Sequence, residues 1–482
     1  MKLNQNVMPL AKAMEEYRDA RIVSFDVPGH KKGKSSTDLV DFFGAQTIKI
    51  DANSMKSLDF LAHPVSVIKE AEELMADAFG ADHCFFMVGG TTSSVQAMVM
   101  ASLKEGDKII MPRNVHKSAI NALILIGAVP IYVNPGIHKQ LGIPLGMNTE
   151  DVIAEMDKNP DAKAVLVNHP TYYGICSELE KIVDEAHKRG ILVLADEAHG
   201  THFYFNEKLP KSAMEVGCDM AAVSIHKTGG SLTQSSVLLL KKNRVNPDYV
   251  RTIINITQTT SPSYLLMGSL DIARHNLAVN GKEIFEKVIE LCEYAREEIN
   301  KVDGYYAFGK EIIDNKYIYD FDTTKLCINT QNIGLAGIEV YDKLRDDYGI
   351  QMELGDLSNT LAIVSVGDTK FQIERLCASL SEIKRRFSQN SNKLFKVEYI
   401  EPIIKKTPKQ AFYGNVKKVK INDAIGEISG EFVMAYPPGI PIVAPGELIT
   451  EEICKYIKYS KEKGCLLLGT LDMELEYINV LE

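Results

Sequence analysis

The residues SELEKIVDEAHKRGILVLADEAHGTHF (177–203) place an amphipathic helix directly before a strand. The helical part, SELEKIVDEAHKRG (177–190), opens on a serine suited to cap it and closes on a glycine. The strand part, ILVLAD (191–196), is apolar without alternation, so both of its faces must be covered. A helix feeding such a strand is the repeating unit of a parallel sheet wrapped by helices.

The same texture extends outward from about residue 65. SVIKEAEELMADAFG (66–80) has helical apolar spacing and ends at Gly80. CFFMV (84–88) leads into Gly89-Gly90-Thr91-Thr92-Ser93-Ser94, and SVQAMVMASL (94–103) reads as a helix. Further strands are expected at KIIMP (108–112), VPIYV (129–133), AVLVN (164–168), MAAVSI (220–225) and SVLLL (236–240). The fold class is therefore α/β with a mainly parallel sheet. After about residue 275 a long helix, NGKEIFEKVIELCEYAREEINKV (280–302), gives way to a less apolar mix. KRRFSQNSNKLFK (384–396) marks a further boundary. The expected division is an N-terminal arm (1–45), a large domain (46–300), a small α+β domain (301–390) and a C-terminal domain (391–482). A turn-rich segment, Pro28-Gly29-His30-Lys31-Lys32-Gly33, lies in the arm.

A length of 482 residues suits two or three domains, and 45% hydrophobic with 24% charged residues is ordinary for a globular protein. The net charge of -10 argues against a nucleic-acid partner. No apolar run is long enough to span a bilayer, and the N-terminus lacks the apolar core of a secretory signal. The eight cysteines are scattered, with no Cys-x-x-Cys pair, so neither a zinc site nor a disulfide framework is indicated. The expectation is a reduced, cytoplasmic protein without a metal.

Three strand ends carry chemistry, and open parallel sheets bind ligands at such ends. Thr91, Thr92 and Ser93 open a helix, where amide N–H groups and hydroxyls can hold a phosphate or simply cap. Asp196 follows a buried strand, either as a cap for the next turn or as the partner of a positively charged ring nitrogen or a metal, the metal disfavoured because no His/Cys spacing fits a metal template. Lys227, in SIHKTGG (224–230), ends another strand beside two glycines. A desolvated lysine can bind an aldehyde covalently. Anion cradle, carboxylate and lysine together are the set that pyridoxal 5'-phosphate requires.

At these residues the chain resembles the Orn/Lys/Arg decarboxylases. The likeness runs through DVPGHKKG (26–33), LDFLAHP (58–64), FGADHCFFMVGGTTSSVQAM (79–98), RNVHKS (113–118), HPTYYG (169–174) and ADEAHGTHF (195–203). It continues through SIHKTGGSLTQSSVLLL (224–240), QTTSPSYLLMGSLDIAR (258–274) and YPPGIPIVAPGE (436–447). The resemblance implies the aspartate-aminotransferase fold, pyridoxal-phosphate fold type I. That means a sheet of seven-stranded type covered by helices, with smaller α+β C-terminal domains. It makes Lys227 the attachment lysine, Asp196 the partner of the pyridine nitrogen and His116 the residue stacked on the ring. Thr91, Thr92, Ser93, Ser224 and His226 would surround the phosphate, and Ala198 would pack on the ring face. His199 stands where many relatives carry Trp. Thr260 and Ser261 resemble residues that reach the neighbouring subunit's phosphate, which implies a homodimer or a higher homo-oligomer. The chain reaches DVPGHKKG by residue 26, so the expectation is the short branch without the N-terminal wing domain.

The implied reaction is decarboxylation of a small basic amino acid, with arginine to agmatine, a step toward polyamines, as the leading assignment. Lysine or ornithine is the alternative substrate. An aminotransferase or carbon–sulfur lyase of the same fold, or a non-catalytic cofactor-binding protein, is the alternative of another class. A substrate cation needs a carboxylate, for which Glu447 and Asp59 are candidates; each is equally suited to a structural cap or surface charge. Arg274 is a position from which an aminotransferase-like arginine could hold the substrate carboxylate.

Overall fold

The computed structural model describes residues 3–241, 244–389, 400–435 and 439–482. Residues 390–396 of the expected boundary segment, the expected domain start at 391, and residues 436–438 of YPPGIPIVAPGE lie outside the described residues. The chain divides into two compact units, Met1–Ala101 with Leu194–Phe285, and Ser102–Val193 with Glu286–Glu482.

The first eight strands are β1 (His83–Met87), β2 (Lys108–Pro112), β3 (Val129–Val133), β4 (Ala164–Asn168), β5 (Ile175–Cys176), β6 (Leu192–Asp196), β7 (Met220–Val223) and β8 (Ser236–Leu240). Seven of them form one sheet in the order β1-β8-β7-β6-β4-β2-β3. Pairs β2·β3, β2·β4 and β6·β7 are parallel, whereas β8 runs antiparallel to both β7 and β1. The reversal has a local cause. Only the one-turn helix Ile225–Thr228 separates β7 from β8, and a parallel return needs a full crossover helix. All five residues of β8 and all four of β7 are buried, as their unbroken apolar sequence requires.

The helix of the opening stretch spans Leu179–Lys188 and buries Leu179, Ile182, Val183 and Ala186 on one face. Ser177 does not cap it: its hydroxyl accepts the amide of Met147 at 2.9 Å, and Glu178 holds the cap position without a side-chain bond. Gly190, at φ +71°, closes it as expected. Strand ends also differ where polar chemistry intrudes. The run MAAVSI stops at Val223, because Ser224 turns the chain into the helix that carries Lys227.

The expected long helix at 280–302 is the second part of a 38-residue helix, Tyr264–Lys301. Beyond it, the second unit holds a small sheet made of β9 (Tyr306–Ala307), β11 (Lys325–Asn329), β12 (Leu354–Gly355) and β13 (Asn359–Ile363), while β10 (Asp320–Phe321) pairs with β5. Two C-terminal sheets follow. One joins β14 (Val416–Lys420) to β18 (Tyr477–Leu481), and the other is ordered β16 (Ile440–Val443), β15 (Val433–Ala435), β17 (Leu467–Leu468). Val433, Val443, Ile453, Ile457 and Val480 share their core. Among the described residues no helix is long and apolar enough to cross a membrane, and no group of metal-ligating side chains occurs.

Candidate active site

The first unit gathers most of the predicted site at one sheet edge. Strand register explains why. Asp196, the last residue of β6, lies opposite Ala222 of the parallel β7. Val223 of β7 faces Val237 of β8, and Met87 of β1 faces Ser236. The ends of β1, β6 and β7 therefore emerge together, carrying Gly89–Ser93, Asp196 and Ser224–Lys227.

The helix Gly90–Ser102 begins at that edge. The Gly90 amide, at φ +71°, donates to the carbonyl of Gln234 at 2.9 Å and ties the turn to the start of β8. A Cβ on Gly89 would stand 2.8 Å from Ser93 Oγ, so the backbone here lies against a hydroxyl. The hydroxyls of Thr91 and Ser224 are hydrogen-bonded to each other, both buried, and Thr92 is exposed on the same first turn. Ser93 Oγ donates to the carbonyl of Gly90 at 2.8 Å. Hydroxyls beside helix amides and the positive end of the macrodipole form a donor set for a phosphate.

Asp196 is buried, and its carboxylate accepts the Ala198 amide at 3.3 Å. Burial raises its pKa, and the nearby positive charge of Lys227 pulls it back down. Lys227 Nζ lies 2.8 Å from His199 Nε2. His199 is thereby given a partner that the sequence did not suggest. His226 Nδ1 is 2.9 Å from the Ser235 carbonyl, to which it can only donate, and burial lowers its pKa against the pull of that hydrogen bond. Two positioning residues escaped the sequence reading. Thr201 Oγ1 donates to the Ser224 carbonyl at 2.8 Å, and the ring of His202 meets Thr228 Oγ1 at 3.2 Å. Both lie in the quoted ADEAHGTHF motif, where their polarity after a buried strand was the available signal. A phosphate donor set, a buried carboxylate and a lysine that senses it occupy one edge. That donor chemistry fits pyridoxal 5'-phosphate.

Thr260 and Ser261 are exposed between the helices Pro247–Thr257 and Tyr264–Lys301. Asp59, at φ +68°, is buried and accepts the amides of Phe60, Val65, Ser66 and Ile68. It thus caps the helix Val67–Ala78, whose own N-cap Ser66 makes no side-chain bond. Arg274 is fully buried and holds the carbonyls of Gln5 and Val7 and the carboxylate of Asp271. In the second unit, His116 caps the helix Lys117–Ile126 by accepting the Ser118 amide on Nδ1. Also there, Glu447 takes Arg113 in a bidentate pair at 2.6 and 2.7 Å, with both side chains buried.

Solved structures carry the same fold. The lysine decarboxylase of Francisella novicida superposes with a TM-score of 0.85 at 22% identity, over 99% of this chain and 81% of that one. A ureidoglycine–glyoxylate aminotransferase of Bacillus subtilis does so at 0.53 and 15% identity, over 66% of this chain and 84% of that one. Fold and edge chemistry define a pyridoxal-phosphate enzyme of fold type I. Residues 8–372 match the Orn/Lys/Arg decarboxylase major domain, and 389–468 match the C-terminal domain of the same family. The chain belongs to the Orn/Lys/Arg decarboxylase family, and is an amino-acid decarboxylase that uses pyridoxal 5'-phosphate. Its similarity to the arginine decarboxylase of Bacillus subtilis is 42% identity over 100% of this chain and 99% of that protein. That of Halalkalibacterium halodurans is 44% identical over 99% and 98%. The inducible lysine decarboxylase of Escherichia coli is 26% identical over 93% of this chain and 76% of its own length.

Proposed function

We infer that this chain decarboxylates L-arginine, releasing CO2 and agmatine. The observation that carries the choice of substrate is full-length identity of 42–44% to arginine decarboxylases, against 26% to a lysine decarboxylase. When bound, pyridoxal 5'-phosphate supplies an aldehyde for the substrate amine and a sink for the electrons left when the bond from Cα to the carboxylate breaks.

The chain's own residues would do the rest. Lys227 Nζ would carry the covalent attachment and exchange protons as the substrate amine takes its place. His199 Nε2, at 2.8 Å, would accept a proton hydrogen-bonded from that amine. Asp196 would keep a proton on the pyridine nitrogen, its buried carboxylate being strongly drawn to a cation. Thr91, Thr92, Ser93 and Ser224 would hold the phosphate, with His226 beside them. Ala198 and His116 would pack on the ring faces. A dry site strengthens each of these interactions. Asp59 and Glu447 are already committed to a helix cap and to Arg113, which supports their structural role.

We further propose that the working unit is a homodimer in the cytoplasm. The exposed Thr260 and Ser261 would reach the second copy's phosphate. The division into arm, large, small and C-terminal domains remains part of this reading, and the separate family matches at 8–372 and 389–468 support its last boundary.

Purified protein should be yellow, and Lys227→Ala should remove both the colour and CO2 release. CO2 release measured from arginine, lysine and ornithine at matched concentration should favour arginine by at least tenfold. Equal or faster release from lysine would overturn the substrate assignment.

A further inference from the structure

The second unit contains a cavity of about 490 Å³, bordered by Tyr173, Tyr341, Asp356, Tyr456, Glu447 and Ile442. That volume is typical of sites for small molecules, and the chemistry described above makes no use of it.

Three carboxylates border the cavity, Asp342, Asp356 and Glu447, and they differ. Glu447 is neutralised by Arg113 through both of its oxygens. Asp356 accepts the Tyr173 hydroxyl at 2.5 Å and the amides of Ser358 and Asn359 at 2.6 Å, and among the described residues no ion pair reaches it. Arg345, in the same wall, is engaged by Asp342 and Asp346. Burial raises the pKa of Asp356, and the hydrogen bonds from Tyr173, Ser358 and Asn359 oppose that rise. Burial and then the charge of Asp356 raise the Tyr456 phenol and push the Cys465 thiol up to about 12, so this charge is felt across the lining.

One polar group in the wall is unsatisfied. Asn114 is buried and lines the cavity, and its Oδ1 has no hydrogen-bond partner, while its Nδ2 donates to the Leu145 carbonyl. An orphaned acceptor and a carboxylate without a cation both select for a donor-rich, positively charged ligand. The three tyrosine rings offer it faces of negative potential. A neutral apolar ligand would leave Asp356 uncompensated, and an anion would be repelled.

We propose that this cavity binds a small organic cation of the alkylamine or alkylguanidine class, its charged end on Asp356. The class includes the product of the proposed reaction, and that link alone rests on the arginine reading. The site itself does not.

The probe is agmatine, applied to the full chain in the absence of arginine. Crystals of the unsubstituted protein soaked in it should show density in the cavity, with a ligand nitrogen at hydrogen-bond distance from Asp356. In equilibrium dialysis, Asp356→Asn and Ile442→Trp should each weaken this site at least tenfold. The second of these fills the cavity from another wall. Lys227→Ala should leave the site intact, which separates it from binding at the attachment lysine. Crystals at saturating agmatine without density beside Asp356 would overturn the proposal. So would either variant, folded by circular dichroism, binding as the unsubstituted chain does. Because dialysis reads binding without turnover, these outcomes are independent of which amino acid is decarboxylated.

Discussion

Glu197, next to Asp196, is fully buried, and its carboxyl is pushed up to about 8 by burial, against the hydrogen bonds from the Tyr204 hydroxyl and the Ala213 amide. An unfolded chain would release that proton near the ordinary 4.5. Between those values the folded state holds more protons than the unfolded one, so stability falls as pH rises from about 4.5 to about 8. The loss is on the order of a few kcal/mol. Glu197→Gln keeps the shape and removes the titration, so its melting temperature from pH 5 to 9 should decline less than that of the parent. Parallel curves would refute this. The two neighbouring acids thus divide: Glu197 is held protonated, whereas Lys227 draws Asp196 back toward its charged form. Asp196→Asn should lower CO2 release by at least a hundredfold with little change in melting temperature, since the Ala198 amide still finds an acceptor.

Among the elements, the turn carrying Lys227 is the least tolerant. A Cβ on Gly229 would stand 2.8 Å from the Ile225 carbonyl and 3.0 Å from Thr201 Cγ2, and Gly230 follows at φ +86°. Gly229→Ala should therefore shift the one-turn helix and weaken cofactor retention at least tenfold in dialysis; unchanged retention would contradict it. Leu238 lies at the centre of the buried β8, and Leu238→Ala should cost about 2–5 kcal/mol in denaturant unfolding. The sequence exposed these elements unequally. AVLVN and SVLLL matched β4 and β8 end to end, because strands buried on both faces are uninterrupted apolar runs. The helix Tyr264–Lys301 was read only in its second part, since SPSYLLMGSLDIAR has no strong charge pattern to mark a face. Lys227 and Asp196 were legible because strand-end chemistry is local in sequence. The Arg113–Glu447 pair was not, for its members stand 334 positions apart. His199 was legible as a position, but its bond to Lys227 depends on register between strands.

At the scale of the molecule, the arm leaves an apolar surface that one chain does not cover. Val23 is 76% exposed, Phe25 92% and Phe42 83%, with Ile22, Val27 and Phe43 also open to solvent. Exposed apolar residues of this number, drawn from one stretch, mark an interaction surface. A second copy of the chain is the partner proposed above, and a two-fold pair would bury the same patch on both sides. Light scattering should then show a dimer that Phe25→Asp with Phe42→Asp converts to monomer. Activity tests the shared site directly. Lys227→Ala lacks the attachment lysine, and Thr260→Ala with Ser261→Ala lacks the residues proposed to cross between subunits. Each preparation alone should be nearly inactive. Mixed, unfolded and refolded together, they should regain about a quarter of the parent activity, because random pairing gives half mixed dimers, each with one complete site. Recovery requires that Thr260 and Ser261 serve the partner's lysine and not their own. Inactive mixtures that light scattering shows to be mixed dimers would mean that each subunit completes its own site.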